Sequence, residues 1–390
     1  MSLSNIKHIG LSISRFTIGS LFLFSGFVKG IDPIGLQYKL TDYLEALHLN
    51  FFSIIVPAGS LILPLAEFAI GLALITGCYL KYATKATLGF MLIFTPLTLY
   101  IAFKNPVTDC GCFGDALVIT NWQTFYKNIV LLSLAFWVHA NWSNVAFRLT
   151  LKIRNLLLTL LLVSYIGVVV WSYRHEPILD FRPYKIGINI SEGMSIPTGA
   201  AVDVYQNSYR YKNRKTNEVK KFGDLDYPWN DTINWKFESM ETPLLLKKGY
   251  RPPIHDFSIQ NSSQQDLTEF YLKDTTLTFI VINYDLEKSD HSHQGELNRL
   301  ANWAKRNQFR FIGLTSTSGD PLKKYQDLFD PNYEILFSDQ TTLKTIIRSN
   351  PGLILLSKGT VIGKWASIDL PTDEQAESIS KVQMKKKLNH

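Results

Sequence analysis

The chain has 390 residues, 46% of them hydrophobic, with a net charge of +7 and three cysteines. The length allows two or three domains, three cysteines exclude a disulfide-rich scaffold, and no basic patch interleaved with aromatic residues points to nucleic acid. The averages conceal a split: up to about Trp171 the chain is mostly apolar, and beyond it the composition is that of a soluble protein. Lysines and arginines flank the apolar runs, which membrane topology explains better than an anionic partner does. The cluster KVQMKKK at 381–387 reads as a solvated tail.

Five stretches approach the roughly 20 apolar residues that cross a bilayer: about 9–28, 53–77, 84–103, 122–140 and 154–172. The first lacks a small-residue cleavage site and runs into Lys29 and Asp32, so it reads as a retained helix and not a signal peptide. Lys7 and Arg15 stand at the start of the first stretch, Lys81 and Lys85 between the second and third, and Arg148, Lys152 and Arg154 between the fourth and fifth. Five crossings put these three sets on one side, assigned to the cytoplasm by the excess of positive charge. The expectation is a multi-pass protein of the inner membrane with a cytoplasmic N-terminus. The loops 29–52 and 104–121, and everything after Trp171, then face the periplasm.

In loop 29–52, Leu36, Leu40, Tyr43, Leu44 and Leu47 recur at helical spacing with Lys39, Asp42 and Glu45 between them. This predicts a short amphipathic helix, packed on its neighbours or acting as a lid. Glu67 lies near the middle of the second stretch. A carboxylate at that depth faces a bundle interior or a cavity, either as a proton or ligand site or as a protonated structural group. Arg15 is long enough to snorkel to the inner interface.

After the third stretch comes Asp109-Cys110-Gly111-Cys112-Phe113-Gly114-Asp115, a glycine-rich turn with two of the three cysteines. It falls on the oxidising side, where a disulfide persists, whereas Cys78 falls near the cytoplasmic end of the second stretch and stays reduced. Three readings remain open for Cys110 and Cys112. They cycle between dithiol and disulfide, since a ring closed over one intervening residue is tight and strained exposed disulfides are labile. They form a static bond that pins the loop. Or they bind a metal, for which Asp109 and Asp115 would complete an unusual ligand set; no metal is assigned. The negative charge of Asp109 and Asp115 is expected to disfavour thiolate.

The segment Phe24-Ser25-Gly26-Phe27-Val28-Lys29-Gly30-Ile31-Asp32-Pro33-Ile34-Gly35, with Tyr38-Lys39-Leu40 and Asp42-Tyr43 after it, resembles the DoxX-like membrane proteins, in the variety found in Bacteroidetes envelopes with an exported C-terminal region. The Cys110-Gly111-Cys112-Phe113-Gly114 turn is similar to that of MauE-type proteins of the same superfamily. The resemblance covers about 9–172. It implies an all-α transmembrane bundle with a four-helix core and one added helix. It also implies a theme of thiol-linked or quinone-linked redox, with quinone as the possible cofactor.

In the exported half, 205–211 and 219–222 predict a hairpin across the polar turn 212–218. From about 251 the pattern alternates: a strand at 277–284, a helix at 294–308, a strand at 309–315, a helix at 320–329, a short strand at 333–337, a helix capped by Asp339 running to 347, strands at 353–357 and 360–365, and a closing helix at 372–387. That order predicts a three-layer α/β domain and resembles the thioredoxin-like fold. By that likeness Pro351, in Asn350-Pro351-Gly352, carries a cis peptide bond; the bland alternative is a trans proline that starts a strand. Where a redox thioredoxin has Cys-x-x-Cys, this chain reads Tyr284-Asp285-Leu286-Glu287-Lys288-Ser289-Asp290-His291-Ser292-His293-Gln294, and no cysteine follows Cys112. His291 and His293 beside Asp290 are two potential ligands without a third and read as a solvated loop.

The expected domains are a bundle at 1–145, a fifth transmembrane helix at 146–175, a small β-rich linker region at 176–250 and a thioredoxin-like domain without Cys-x-x-Cys at 251–390. Two functions follow. One is thiol/disulfide or quinone-linked support of periplasmic protein maturation through Cys110 and Cys112. The other is a non-catalytic, membrane-anchored scaffold that grips a partner in an envelope complex. Both place the protein in the lipid bilayer with a periplasmic or envelope protein as partner and no nucleic acid.

Overall fold

A computed structural model describes residues 3–107, 109–144 and 150–388; Arg148, one of the flanking charges, lies outside them. The first part is helical: α1 (Leu3–Ile31), α2 (Pro33–Ala46), α3 (Val56–Thr76), α4 (Leu80–Lys104), α5 (Asn121–Ala140) and α6 (Leu151–Arg174). Four of these, α1, α4, α6 and the run Asn50–Thr76 that contains α3, are long and apolar enough to cross a membrane. Helix α5 is equally regular over 20 residues, but Asn121, Gln123, Lys127, Asn128 and His139 leave it more polar than the span expected at 122–140.

Helices α1 and α3 pack most intimately. A Cβ on Gly26 would meet the backbone of Pro64 and Phe68 at 2.6–2.7 Å, and one on Gly71 would meet Leu23 N at 2.5 Å. Small residues at these points let the two backbones touch, the usual means of association where the solvent is as apolar as the side chains. Leu11, Ile18, Phe22, Leu74, Met91, Leu131 and Ala135 fill the interior. Ile13, Ile62, Ile93, Val130 and Phe136 are exposed outward on the same helices, as is Val163 on α6. An apolar outer surface of that extent needs lipid or protein around it.

Polar contacts show which helix ends lie together. Arg15 donates to the carbonyls of Leu74 and, at 3.0 Å, Ile75. Arg154 donates to Gly77 O at 3.0 Å, and Thr84 Oγ1 lies 3.1 Å from His139 Nδ1. The start of α6, the end of α3 with the start of α4, and the end of α5 thus share one end of the bundle. Arg15 reaches the carbonyls at the end of α3. Together with Arg154 it satisfies the terminal carbonyls of α3, where the helix dipole favours a cation. At the other end Asn121 Nδ2 donates to Asn105 Oδ1 at 2.9 Å.

Residues Ile188–Phe257 form a compact unit of their own. It holds the short helix α7 (Ile190–Met194) and five strands: β1 (Val204–Gln206), β2 (Tyr209–Asn213), β3 (Val219–Phe222), β4 (Trp235–Met240) and β5 (Leu244–Lys247). The expected hairpin is present as β2–β3, with Tyr209 opposite Phe222. β4 adds on the other side of β2, and β1 leaves to pair with β5. Tyr211, Phe222 and Phe237 meet edge to face on this sheet.

The α/β part follows: α8 (Thr268–Lys273), β6 (Leu277–Ile282), α9 (Gln294–Arg306), β7 (Arg310–Thr315), α10 (Asp320–Phe329), β8 (Glu334–Phe337), α11 (Gln340–Ile346), β9 (Gly352–Ser357), β10 (Thr360–Ala366) and α12 (Asp373–Leu388). The sheet order is β10-β9-β6-β7-β8. β6, β7 and β8 run parallel, β9 is antiparallel to β6, and β10 is antiparallel to β9. Alternation within β6 decides the two faces: Leu277, Phe279 and Val281 join Leu297, Leu300 and Trp303 of α9 and Ala376 of α12 in one core. Asp339 caps α11 by accepting from Thr342 N at 3.0 Å, and the Asn350–Pro351 peptide bond is cis.

Candidate functional site

The cysteine turn lies between the end of α4 and the start of α5. Gly111 (φ +62°) and Gly114 (φ +51°) occupy left-handed backbone that a side chain disfavours. Asp109 closes the turn locally by accepting from Gly111 N at 2.8 Å. The rest is held from outside. Tyr43 of α2 donates to Cys110 O at 2.6 Å, Lys39 of α2 binds Asp109 at 2.8 Å, and Ser25 of α1 donates to Cys112 O at 2.6 Å. Phe113 is buried, with the Lys127 ammonium 4.6 Å above its ring. The amphipathic helix foreseen at 29–52 is therefore α2, and its polar residues fasten the turn.

Cys110 and Cys112 are free thiols with their sulfurs 3.1 Å apart, about 1 Å more than a disulfide bond. The hydrogen bond between them, then the charges of Lys127 and Lys29, draw Cys112 below the ordinary cysteine range against the effect of burial. The same hydrogen bond, burial and the charge on Cys112 push Cys110 up. One thiol ionises readily and its neighbour keeps its proton, the division expected of two coupled acids. The sequence put Asp109 and Asp115 beside the thiols and so foresaw the opposite effect. In the fold Asp109 is engaged by Lys39, and Asp115 lies 3.4 Å from Arg348. The cations Lys29 and Lys127 are the charges that dominate at Cys112.

Glu67 of α3 is buried beneath the turn. Its carboxylate binds Lys29 Nζ at 2.7 and 3.0 Å and lies 2.9 Å from Ser25 Oγ. Lys29 was missed as its partner because the apolar pattern ends at 28. Helix α1 continues to Ile31, and one more turn brings Lys29 inward. The signal was the lysine inside the quoted motif, at the edge of an apolar run.

Two cavities flank the turn. One, of about 330 Å³, lies among the helices, lined by Leu21, Phe22, Phe94, Glu67, Cys112 and Asn128. The other, of about 1200 Å³, is polar and lies between α2 and the α/β part; Tyr38, Asp42, Gly111, Asp115, Tyr284 and Lys344 line it. Its walls are joined by Arg348, whose guanidinium grips Asp32 with contacts of 2.7–3.0 Å, and by Tyr38 and Tyr284, whose hydroxyls are 2.9 Å apart. Beside Pro351, the backbone N–H groups of Arg348 and Ser349 both donate to Glu176 Oε1 at 3.0 and 3.2 Å. Arg182 holds the other oxygen of Glu176 at 2.9 Å. The histidines go separate ways, His291 to Leu286 O and His293 to Glu296. Among the described residues no group of three His, Cys, Asp or Glu is placed to hold a metal ion.

A direct check on the thiols is the pH dependence of alkylation in the detergent-solubilised chain, read at the Cys112 peptide. The rate is expected to rise through a midpoint below the ~8.5 of an ordinary cysteine. A midpoint at or above that value would count against the charge arrangement described.

Residues 7–141 match the family model described as Methylamine utilisation protein MauE. Protein TlpB of Flavobacterium psychrophilum is 28% identical over 123 residues, 31% of this chain and 34% of that protein. The match thus spans about a third of the relative's length. Cys110, Cys112, Lys29 and Glu67 all fall within 7–141, whereas α6 and the α/β part lie beyond it. Residues 7–141, which hold three of the four helices long and apolar enough to cross a bilayer, are thus similar to the MauE family.

Proposed function

We propose that this is an inner-membrane thiol/disulfide redox protein supporting the maturation of periplasmic proteins, with Cys110 and Cys112 as its dithiol. The observation that carries the reading is the pair of free sulfurs 3.1 Å apart in a turn that partitions a polar cleft from an apolar cavity. A partner thiolate attacks one sulfur of the Cys110–Cys112 disulfide, forming a mixed disulfide and releasing the other sulfur as thiolate. The partner's second thiolate displaces Cys110 or Cys112. The partner leaves as a disulfide, and the turn is left reduced by two electrons. The polar cleft is the side from which a polypeptide approaches.

Regeneration removes two electrons and two protons from the dithiol. A quinone fits the apolar cavity, whose wall includes Leu21, Phe22, Phe94 and Leu97, with Asn128 and Lys127 as polar partners; when bound it would supply the two-electron acceptor. In this reading five helices, α5 included, cross the inner membrane. The N-terminus is cytoplasmic because Lys7, Lys81, Lys85 and Lys152 gather at one end, and the turn and the α/β part are periplasmic.

Sheet order and the cis Asn350–Pro351 bond support a thioredoxin-like identity for the α/β part. One observation favours the scaffold alternative for that part: Glu176 occupies the backbone donors next to Pro351, so this edge binds its own chain. The domain then acts as a fixed roof over the turn, with no redox step of its own. The test is thiol trapping of the solubilised chain across defined redox buffers. Cys110 and Cys112 are expected to pass together from dithiol to disulfide within the physiological range. If they hold one state throughout, the redox reading is lost and the scaffold stands.

A further inference from the structure

Ser25 Oγ lies 2.9 Å from Glu67 Oε2 and 2.6 Å from Cys112 O. A hydroxyl carries one proton and so donates to one of them at a time. With Glu67 ionised, the contact left over sets two lone pairs against each other. With a proton on Oε2, Glu67 donates to Ser25 and Ser25 donates to Cys112 O, while Lys29 Nζ, 2.7 Å from Oε1 and 3.0 Å from Oε2, keeps Oε1 as its acceptor. The pocket therefore accommodates both forms of Glu67, and switching between them turns only one hydroxyl.

The charges around Glu67 indicate when each form is favoured. Lys29 faces it from α1, Tyr165 from α6 with its hydroxyl on Gly26 O at 2.5 Å, and Lys127, Tyr43 and the two thiols line the same cavity. Lys29 and Lys127 carry two positive charges, so the site sums to +1 with the disulfide and an ionised Glu67, and to +1 again with a Cys112 thiolate and a protonated Glu67. A Cys112 thiolate and a Glu67 carboxylate in one low-dielectric cavity repel each other. A disulfide carries no charge and leaves Glu67 to Lys29.

We propose that Glu67 is a redox-linked proton acceptor: it gains a proton when the Cys110–Cys112 disulfide is reduced and releases it when the disulfide forms. The inference rests on the thiol-redox reading and adds a residue to it. The half-reaction is disulfide plus two electrons and two protons, giving Cys110 thiol, Cys112 thiolate and Glu67 carboxylic acid; a partner dithiol supplies the electrons. The membrane-buried carboxylate then keeps in the protein the proton that the thiolate gives up, and the net charge of the site stays the same through the redox step.

The test is the reduction potential of the pair in the detergent-solubilised full chain, followed with pH between about 7 and 8.5. Two protons per two electrons shift the equilibrium a hundredfold per pH unit, about 60 mV, and one proton shifts it tenfold, about 30 mV. The wild type is expected to follow the two-proton slope and Glu67→Gln, which keeps the side-chain volume and hydrogen bonds, the one-proton slope. The double variant Lys29→Gln with Glu67→Gln removes both buried charges and serves if the single variant does not fold; it should also give the one-proton slope. Equal slopes in wild type and variant would overturn the role of Glu67 while leaving the dithiol intact. A pair that shows no reversible potential in any of these proteins overturns the function itself.

Discussion

Cys110→Ser is expected to trap a partner on Cys112, whereas Cys112→Ser traps none, and both lose turnover completely. The asymmetry follows from the sharing of protons between the sulfurs. Cys112 sits among Lys29 and Lys127 and ionises first, and the thiolate is the species that exchanges. Cys110 keeps its proton and, in the reverse direction, closes on Cys112 to re-form the pair's disulfide. With Cys110 replaced, the Cys112 thiolate can still attack the disulfide of an oxidised partner and no second thiol of the turn reverses that step, so non-reducing electrophoresis of envelope proteins should show a discrete adduct that a reductant dissolves. An adduct of equal yield in both variants would mean that the helix and turn charges do not distinguish the sulfurs.

Arg348→Ala is expected to lower stability by about 3–5 kcal/mol, the usual cost of breaking a buried ion pair from one side. Arg348 is 7% exposed and joins the α/β part to Asp32, at the junction of α1 and α2. Removing it strips Asp32, which is 21% exposed at the edge of the polar cleft, of the guanidinium it faces. Burial alone would raise the Asp32 carboxyl, but Arg348 and Arg182 outweigh it and hold it below the usual range. Because the folded value is depressed, the stabilisation is fully present above the unfolded carboxyl value of about 4 and fades as pH falls through the folded value. The observable consequence is earlier thermal unfolding and faster proteolysis of the α/β part in Arg348→Ala at pH 7. Arg348→Lys should lose less, since it keeps the charge and gives up only the two-pronged geometry. Unchanged melting in Arg348→Ala would show that the pair does not fasten the two parts.

Much of the architecture was legible because apolar periodicity is local. The runs that became α1, α3, α4 and α6 are long and uninterrupted, and the strands and helices of the α/β part alternate with clear turn residues between them, so β6 through α12 fall within a few residues of the expected limits. What the pattern missed was short or continuous with something else. β4 mixes polar and apolar residues and β5 is a short exposed Leu-Leu-Leu-Lys run, on two small separate sheets where alternation is weak. The last turn of α1 continues past the apolar run, which hid Lys29.

The chemistry divides along the same line. From the sequence alone come the Cys110–Gly111–Cys112 turn, the depth of Glu67, the lack of any cysteine beyond Cys112 and the membrane character of the N-terminal half, because each depends on residue type and near neighbours. Only the tertiary structure decides which charges reach the sulfurs. Asp109 and Asp115 adjoin them in the chain yet are engaged by Lys39 and Arg348, while Lys29, some 80 residues earlier by number, and Lys127 on the next helix lie close enough to act. Electrostatic effects depend on distance through space and on exclusion of water, and neither is written in the order of residues along a chain.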